Sequence, residues 1–142
     1  MTDADDLARR CAQRMYSRDR ASQHLGIEIV EVMPGRATAR MAIADTMVNG
    51  HDIAHGGYVF LLADSAFAFA CNTYGVVTLA AGADVVFTAP ARLGDVLVAE
   101  ASERSRFGRS GVYDVTVRRE NGDVVAEFRG RSRSRDERIL TD

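Results

Sequence analysis

The segment from His55 to Asn72, HGGYVFLLADSAFAFACN, places the tightest constraint on the fold. Fourteen residues run from Tyr58 to Cys71, and Asp64 is the only charged side chain among them. The length of the segment and its alanine and leucine content favour a helix over a strand. Because the segment is apolar nearly all round, the rest of the fold must cover most of its sides.

A carboxylate taken out of water is costly unless it is paired, hydrogen-bonded or protonated. Asp64 is therefore either compensated structurally or used chemically.

Two helices are predicted. Residues 2–23 are typical of a helix, because Leu7, Cys11 and Met15 recur at a spacing of four, and Gly26 ends this N-terminal region of residues 1–25. The central helix is predicted at residues 56–74, with Gly75 as its C-cap.

The remainder of the chain predicts strands. Alternating or β-branched runs occur at residues 27–33, 36–44, 76–90, 95–106, 111–120 and 123–134. Pro34-Gly35 and Asn121-Gly122 predict hairpins between neighbouring runs. The element order predicts one α+β domain over residues 1–142, a mostly antiparallel sheet wrapped around one long helix. Such a sheet leaves an edge or face to be covered, so we expect an oligomer.

Composition excludes several classes of function. The formal net charge of −2 gives no reason to expect nucleic-acid binding. The longest apolar run is shorter than the ~20 residues of a membrane span. Cys11 and Cys71 lack metal-ligand spacing and are typical of buried thiols in a reducing cytoplasm. We expect a cytoplasmic protein with no cofactor and no metal. A metal site on His51, Asp52 and His55 is the alternative, but this loop offers no further ligand.

Gly56 and Gly57 begin the central helix, where the first N–H groups have no partner within the helix. Such groups can bind a carbonyl oxygen that becomes an oxyanion. Asp64 lies eight residues on, about 12 Å along the helix axis, too far for one carbonyl to contact both groups of one chain. Two central helices packed antiparallel would bring Gly56 of one chain to Asp64 of another. The sequence thus predicts acyl-transfer chemistry at a site shared across a homodimer.

Several short motifs occur together in order. They include Asn49-Gly50-His51, His55-Gly56-Gly57, Phe60, Leu62-Ala63-Asp64 and Gly111-Val112-Tyr113-Asp114. With this spacing the chain closely resembles the hotdog-fold acyl-CoA thioesterases of the phenylacetic acid degradation type, the PaaI family. The resemblance implies the hotdog fold, dimers that pair into homotetramers, and hydrolysis of acyl-CoA to free acid and CoA. It points to aryl-acyl-CoA substrates, phenylacetyl-CoA and its ring-hydroxylated forms.

The resemblance also implies roles for individual residues. Asp64 would be the general base or nucleophile, and Gly56 would supply the oxyanion N–H from the partner chain. Asn49 would lie near the reacting carbonyl or water, and His55 would help to position the thioester. Where some relatives carry an auxiliary hydroxyl, this chain has alanine, at Ala68 and Ala80.

Four further residues are assigned to substrate binding. We expect Gly57 and Phe60 to contact the substrate, with Phe60 in the acyl pocket. Arg131 and Arg133 alternate on one strand face where they can meet the CoA phosphates. A solvated strand face that resists aggregation is the alternative interpretation of the arginines.

Other interpretations stay open at this point. Asp64 can be a structural acid, His55 a loop-ordering histidine and Asn49 a turn residue beside Gly50. A hotdog hydratase acting on enoyl thioesters or a non-catalytic acyl-CoA-binding module are the rival functions. The hydratase is disfavoured by the order of His55, the glycines and Asp64. The binding module is disfavoured because it has no need for a buried acid.

Overall fold

The computed structural model describes residues 1–141. It contains three α-helices, one 3₁₀ turn and six β-strands in that described range. Their bounds are α1 (Asp3–Arg18), α2 (Arg20–His24), β1 (Glu28–Met33), β2 (Arg36–Ala42), the 3₁₀ turn Asp45–Met47, α3 (Gly56–Cys71), β3 (Val76–Phe87), β4 (Val96–Phe107), β5 (Ser110–Arg119) and β6 (Val124–Arg138).

The six strands form one antiparallel sheet in the order β1-β2-β4-β5-β6-β3, which leaves β1 and β3 at its edges. α3 packs against one face of the sheet and contacts every strand, most extensively β2, β4 and β5. The predicted α+β class and the sheet wrapped around one long helix are confirmed. Both predicted hairpins, β1–β2 and β5–β6, are also present.

The N-terminal region differs from the single helix that the spacing predicts. α1 begins with a capping box in which Thr2 and Asp5 bond each other's backbone N–H. It ends at Arg18, because Asp19 leaves the helical conformation with ψ of 84° and becomes the N-cap of α2. The Asp19 carboxylate accepts a hydrogen bond from the backbone N–H of Ser22, at 3.0 Å. A short side chain that bonds the local backbone competes in this way with helix continuation.

The central helix α3 ends at Cys71, three residues before the predicted end. The side chain of Asn72 donates to the carbonyl oxygens of Ala68 and Thr78, and its Oδ1 accepts from the backbone N–H of Thr78. The bond to Ala68 satisfies one of the last carbonyls of the helix, and the two bonds to Thr78 fix the chain as it enters β3. The prediction of Gly75 as the C-cap is wrong, because Asn72 is the C-cap and Gly75 lies in the following turn with a positive φ of 89°.

The core lies between α3 and the concave face of the sheet. Phe67, Phe69 and Leu62 of α3 are fully buried, as is Tyr113 of β5. Gly130 of β6 lets the helix approach closely, because a β-carbon there would stand 2.8 Å from the Phe67 ring. By contrast, the edge strand β3 exposes Leu79, Val86 and Phe87 by half or more of their surface. Apolar side chains on both faces of this edge strand are thus uncovered in the single chain.

Candidate active site

Asp64 lies half-buried in the third turn of α3 and has no charged partner. Its carboxylate makes no hydrogen bond or ion pair with any residue in the described range 1–141. Burial raises the pKa of the Asp64 carboxyl above its ordinary value, and the negative charge of Asp19 adds to the rise. A raised pKa makes a carboxylate a better proton acceptor once it is ionised.

Asp64 belongs to the part of α3 that the single chain leaves partly exposed. Gly57, Leu61, Asp64 and Ala68 follow one another at helical spacing, and each is less buried than the residues that face the sheet. Most of the other α3 side chains pack into the core. The carboxylate therefore sits on an apolar stripe that another surface or a substrate can reach.

The N-terminus of α3 presents free backbone donors. His55 is its N-cap, and no side chain caps this end of the helix. The N–H groups of Gly56 and Gly57 find no acceptor among the residues described. Together with the helix dipole they form a region that attracts negative charge, such as a developing oxyanion.

Phe87 closes one side of this helix end. A β-carbon on Gly56 would stand 2.8 Å from Cζ of the Phe87 ring. A residue with a β-carbon at the first position of α3 therefore requires the Phe87 ring to move. Sequence reasoning did not place Phe87 in the site, because the contact joins the end of β3 to the start of α3 and leaves no local pattern.

Asn49 and His55 lie in the loop that precedes α3. The Asn49 Oδ1 accepts from the backbone N–H groups of His51 and Ile53, at 2.9 and 3.2 Å. The Asn49 side-chain nitrogen has no partner within the described chain. The backbone N–H of His55 donates to the carbonyl of Met47, and its imidazole is exposed. Both residues thus order the loop while keeping donors for a further group.

Phe60 lies one turn into α3 and is half-buried. Its ring meets Phe128 edge-on, with the ring centroids 5.3 Å apart. The aromatic wall that results lies on the same side of the sheet as Asp64, and an aryl ring can pack against such a wall.

Arg131 and Arg133 are not brought to this region within one chain. Alternate residues of β6 are buried against α3, and the arginines occupy the intervening exposed positions. Arg131 pairs with Asp84 of β3 at 2.8 Å, and Arg133 donates to Ser110 at 3.3 Å. They lie on the sheet face opposite to α3, so they can meet a CoA bound at Asp64 only from another subunit.

The hydroxyl groups nearest to the two alanine positions are engaged elsewhere. Ser65 Oγ lies 3.1 Å from Ser22 Oγ, and Thr78 Oγ1 lies 2.9 Å from Ser134 Oγ. A carboxylate and backbone donors are therefore the reactive groups that the site offers. They suit hydrolysis of a thioester, because a thiolate leaves readily without a strong acid.

No three His, Cys, Asp or Glu side chains in the described part of the chain come together to hold a metal ion. His51, Asp52 and His55 are all exposed, and Asp52 has a positive φ of 58°. Across residues 1–141, no helix combines the length and apolar character needed to cross a membrane.

Residues 51–126 match the thioesterase superfamily, a span that includes Gly56 and Asp64. The acyl-coenzyme A thioesterase PaaI of Escherichia coli strain K12 is 40% identical over 121 residues, covering 85% of this chain and 86% of that protein. The structure of the E. coli PaaI protein from the phenylacetic acid degradation operon superimposes with a TM-score of 0.94 at 36% identity, covering 96% of this chain and 99% of that one. A variant of the phenylacetic acid degradation protein PaaI from Thermus thermophilus has a TM-score of 0.77 at 33% identity and covers 81% of this chain and 98% of its own.

The fold, the unpaired acid on α3 and these similarities agree with one another. The chain belongs to the thioesterase superfamily, and it is a hotdog-fold acyl-CoA hydrolase of the PaaI family.

Proposed function

We propose that this protein hydrolyses aryl-acyl-CoA thioesters, with phenylacetyl-CoA and its ring-hydroxylated forms as substrates. The substrate class is supported by the similarity to PaaI of the E. coli phenylacetic acid degradation operon. It is also supported by the aromatic pair of Phe60 and Phe128 beside α3. Phe60 and Gly57, which lies open at the helix start, would line the acyl pocket.

The observation that carries the proposal is the unpaired, half-buried carboxylate of Asp64. We propose that Asp64 is the general base. It accepts a proton from a water molecule as that water attacks the thioester carbonyl carbon. The C–S bond then breaks, CoA leaves as the thiolate, and the acyl group leaves as the free acid. His55 and the free side-chain nitrogen of Asn49 would hold the thioester and the water.

The oxyanion that forms on the carbonyl needs donors that Asp64's own chain does not place nearby. We propose that the Gly56 N–H of a partner subunit supplies them, with two α3 helices antiparallel across a two-fold axis. The exposed apolar residues of the edge strand β3 support a homodimer. In a homotetramer, Arg131 and Arg133 of a further subunit would meet the CoA phosphates.

The proposal is tested by thiol release from phenylacetyl-CoA, 4-hydroxyphenylacetyl-CoA, acetyl-CoA and hexanoyl-CoA. We expect the two aryl substrates to have the highest kcat/KM. We expect Asp64→Asn to lower kcat by at least about 10²-fold, the usual contribution of a positioned base. Asp136→Asn, which changes a highly exposed carboxylate, is the matched control and should leave kcat unchanged. Full activity of Asp64→Asn would contradict the role of Asp64 as the general base. Faster turnover of acetyl-CoA and hexanoyl-CoA than of the aryl substrates would contradict the proposed substrate class.

A single turnover in ¹⁸O-labelled water tests the role of Asp64 as a base. Water activation puts the label into the released acid and none into the Asp64 side chain. Label in Asp64 would show that the carboxylate attacks the carbonyl directly.

A further inference from the structure

The carboxylate of Asp19 lies near that of Asp64, the proposed base. Asp19 occupies the break between α1 and α2 and is partly buried. Its Oδ2 accepts a hydrogen bond from Ser22 Oγ at 2.7 Å. Ser22 Oγ in turn lies 3.1 Å from Ser65 Oγ, the residue that follows Asp64 on α3. Two hydrogen bonds therefore join Asp19 to the helical turn that carries Asp64.

The connection is buried and fully formed. Ser22 is 1% exposed and Ser65 is 8% exposed. Polar groups buried to this degree retain their hydrogen bonds because losing one costs the full desolvation penalty. The link thus holds Asp19 against the turn of α3 that carries Asp64, and the low polarity of the surroundings strengthens the repulsion between the two carboxylates.

We infer that Asp19 is a positioning residue, which acts through the Ser22–Ser65 link and through its charge to set the pH range in which Asp64 works as a base. The inference rests on the proposed role of Asp64. The negative charge of Asp19 also raises the pKa of the Asp64 carboxyl, after the larger effect of burial.

Other charged and titratable groups lie on the elements that pack around α3. Arg14 and Arg18 of α1 line a groove together with Asp19. Glu103 of β4 accepts hydrogen bonds from Tyr74 and Tyr113, beyond the C-terminal end of α3.

Two carboxylates of the sheet lie on the face opposite to α3. Asp84 of β3 is paired there with Arg131, and Asp114 of β5 with Arg129. The thiol of Cys71, on α3 itself, is uncharged at neutral pH because burial raises its pKa to about 12.

The test is the pH dependence of kcat/KM for the wild type, Asp19→Asn and Asp19→Ser. Both variants remove the charge, and both keep a residue that caps helix N-termini well, so α2 is retained. The acid limb of the profile reports the pKa of the base in the free enzyme. We expect this limb to move to lower pH in both variants. We also expect the plateau to fall by about threefold to tenfold, because a weaker base accepts a proton less effectively.

Asp136→Asn is the matched control, since it removes one exposed negative charge that pairs with Arg109 and takes no part in the Ser22–Ser65 link. An acid limb that coincides with that of the wild type in both Asp19 variants overturns the inference. An equal shift in Asp136→Asn also overturns it, because the effect would then be one of net charge. If Asp64→Asn is inactive but the acid limb of Asp19→Asn is unshifted, this inference is wrong and the proposed function stands. If Asp64→Asn is fully active, the proposed function is wrong.

Discussion

The ring of Phe87 lies against the backbone of Gly56, so that a β-carbon added at Gly56 would stand 2.8 Å from Cζ of the ring. The end of an edge strand therefore touches the start of the central helix, beside the free N–H groups that we propose as the oxyanion donors. Glycine fits at the first position of α3 without any change. A larger residue fits there only if the half-exposed Phe87 ring turns away.

This relationship allows the Gly56 N–H to be tested by a matched pair of variants. Gly56→Pro removes the N–H, and proline is well tolerated at the first position of a helix. His55 has φ of −58° and ψ of 135°, the extended conformation that a residue before proline prefers. We expect kcat to fall by about 10²–10³-fold in Gly56→Pro, the usual loss for one oxyanion donor.

Gly56→Ala is the control for this experiment. It adds the same β-carbon near Phe87 but keeps the N–H, so its kcat should fall far less than that of Gly56→Pro. Equal losses in the two variants would assign the effect to the displaced ring and would contradict a role for the N–H.

Asp64 should reduce the stability of the native protein at neutral pH. Burial, with a contribution from Asp19, raises the pKa of the folded-state carboxyl, so the fold favours the protonated form. That stabilisation is complete below the unfolded pKa and is lost as the pH rises through the raised folded pKa. We therefore expect Asp64→Asn to unfold at a higher temperature than the wild type at pH 7.

The expected gain is a rise in Tm whose size follows the difference in the Asp64 pKa between the folded and unfolded chains. Calorimetry at pH 7 and near pH 3 measures it, and the difference between the two proteins should disappear at the lower pH. A variant that is less stable than the wild type at pH 7 would show that the carboxylate contributes to the fold.

Cys71 should be inert in the folded protein. Burial and the nearby charge of Asp64 raise the pKa of its thiol to about 12, so roughly one molecule in ten thousand carries the thiolate at pH 8. We expect iodoacetamide to leave the native protein unmodified by intact mass and fully active, while the unfolded chain reacts at both Cys11 and Cys71. Rapid single labelling of the native protein with loss of activity would contradict this account.

Several parts of the fold could be predicted because the sequence encodes them locally. The alanine- and leucine-rich run of α3 exceeds the usual length of a strand, and Asn121-Gly122 favours the tight turn that joins β5 to β6. The break at Asp19 could not be foreseen. The helical spacing of Leu7, Cys11 and Met15 gives no sign of where the helix stops, and the cap that ends it depends on the packing of Ser22 against α3.

Some residues of the candidate site could likewise be predicted from a local pattern, whereas others are brought together only by the tertiary structure. Asp64 stood out because one charge interrupts an apolar run. The alternation of Arg131 and Arg133 predicted a shared strand face, but only the packing of β6 shows that this face points away from α3. The contacts of Phe87 with Gly56 and of Ser22 with Ser65 join residues 31 and 43 positions apart in the sequence. They arise from tertiary structure and leave no local signal.

The central claim is that each active site combines Asp64 of one subunit with Gly56 of another, and subunit mixing tests it most directly. Asp64→Asn and Gly56→Pro chains, each carrying a different affinity tag, are refolded together and the mixed dimers are purified through both tags. Across a two-fold axis, one of the two sites in a mixed dimer would be intact and the other would carry both defects. We predict about half of the wild-type activity per dimer, although each variant alone is nearly inactive. Mixed dimers as inactive as the two parent variants would place both groups in a site within one chain and would contradict the account.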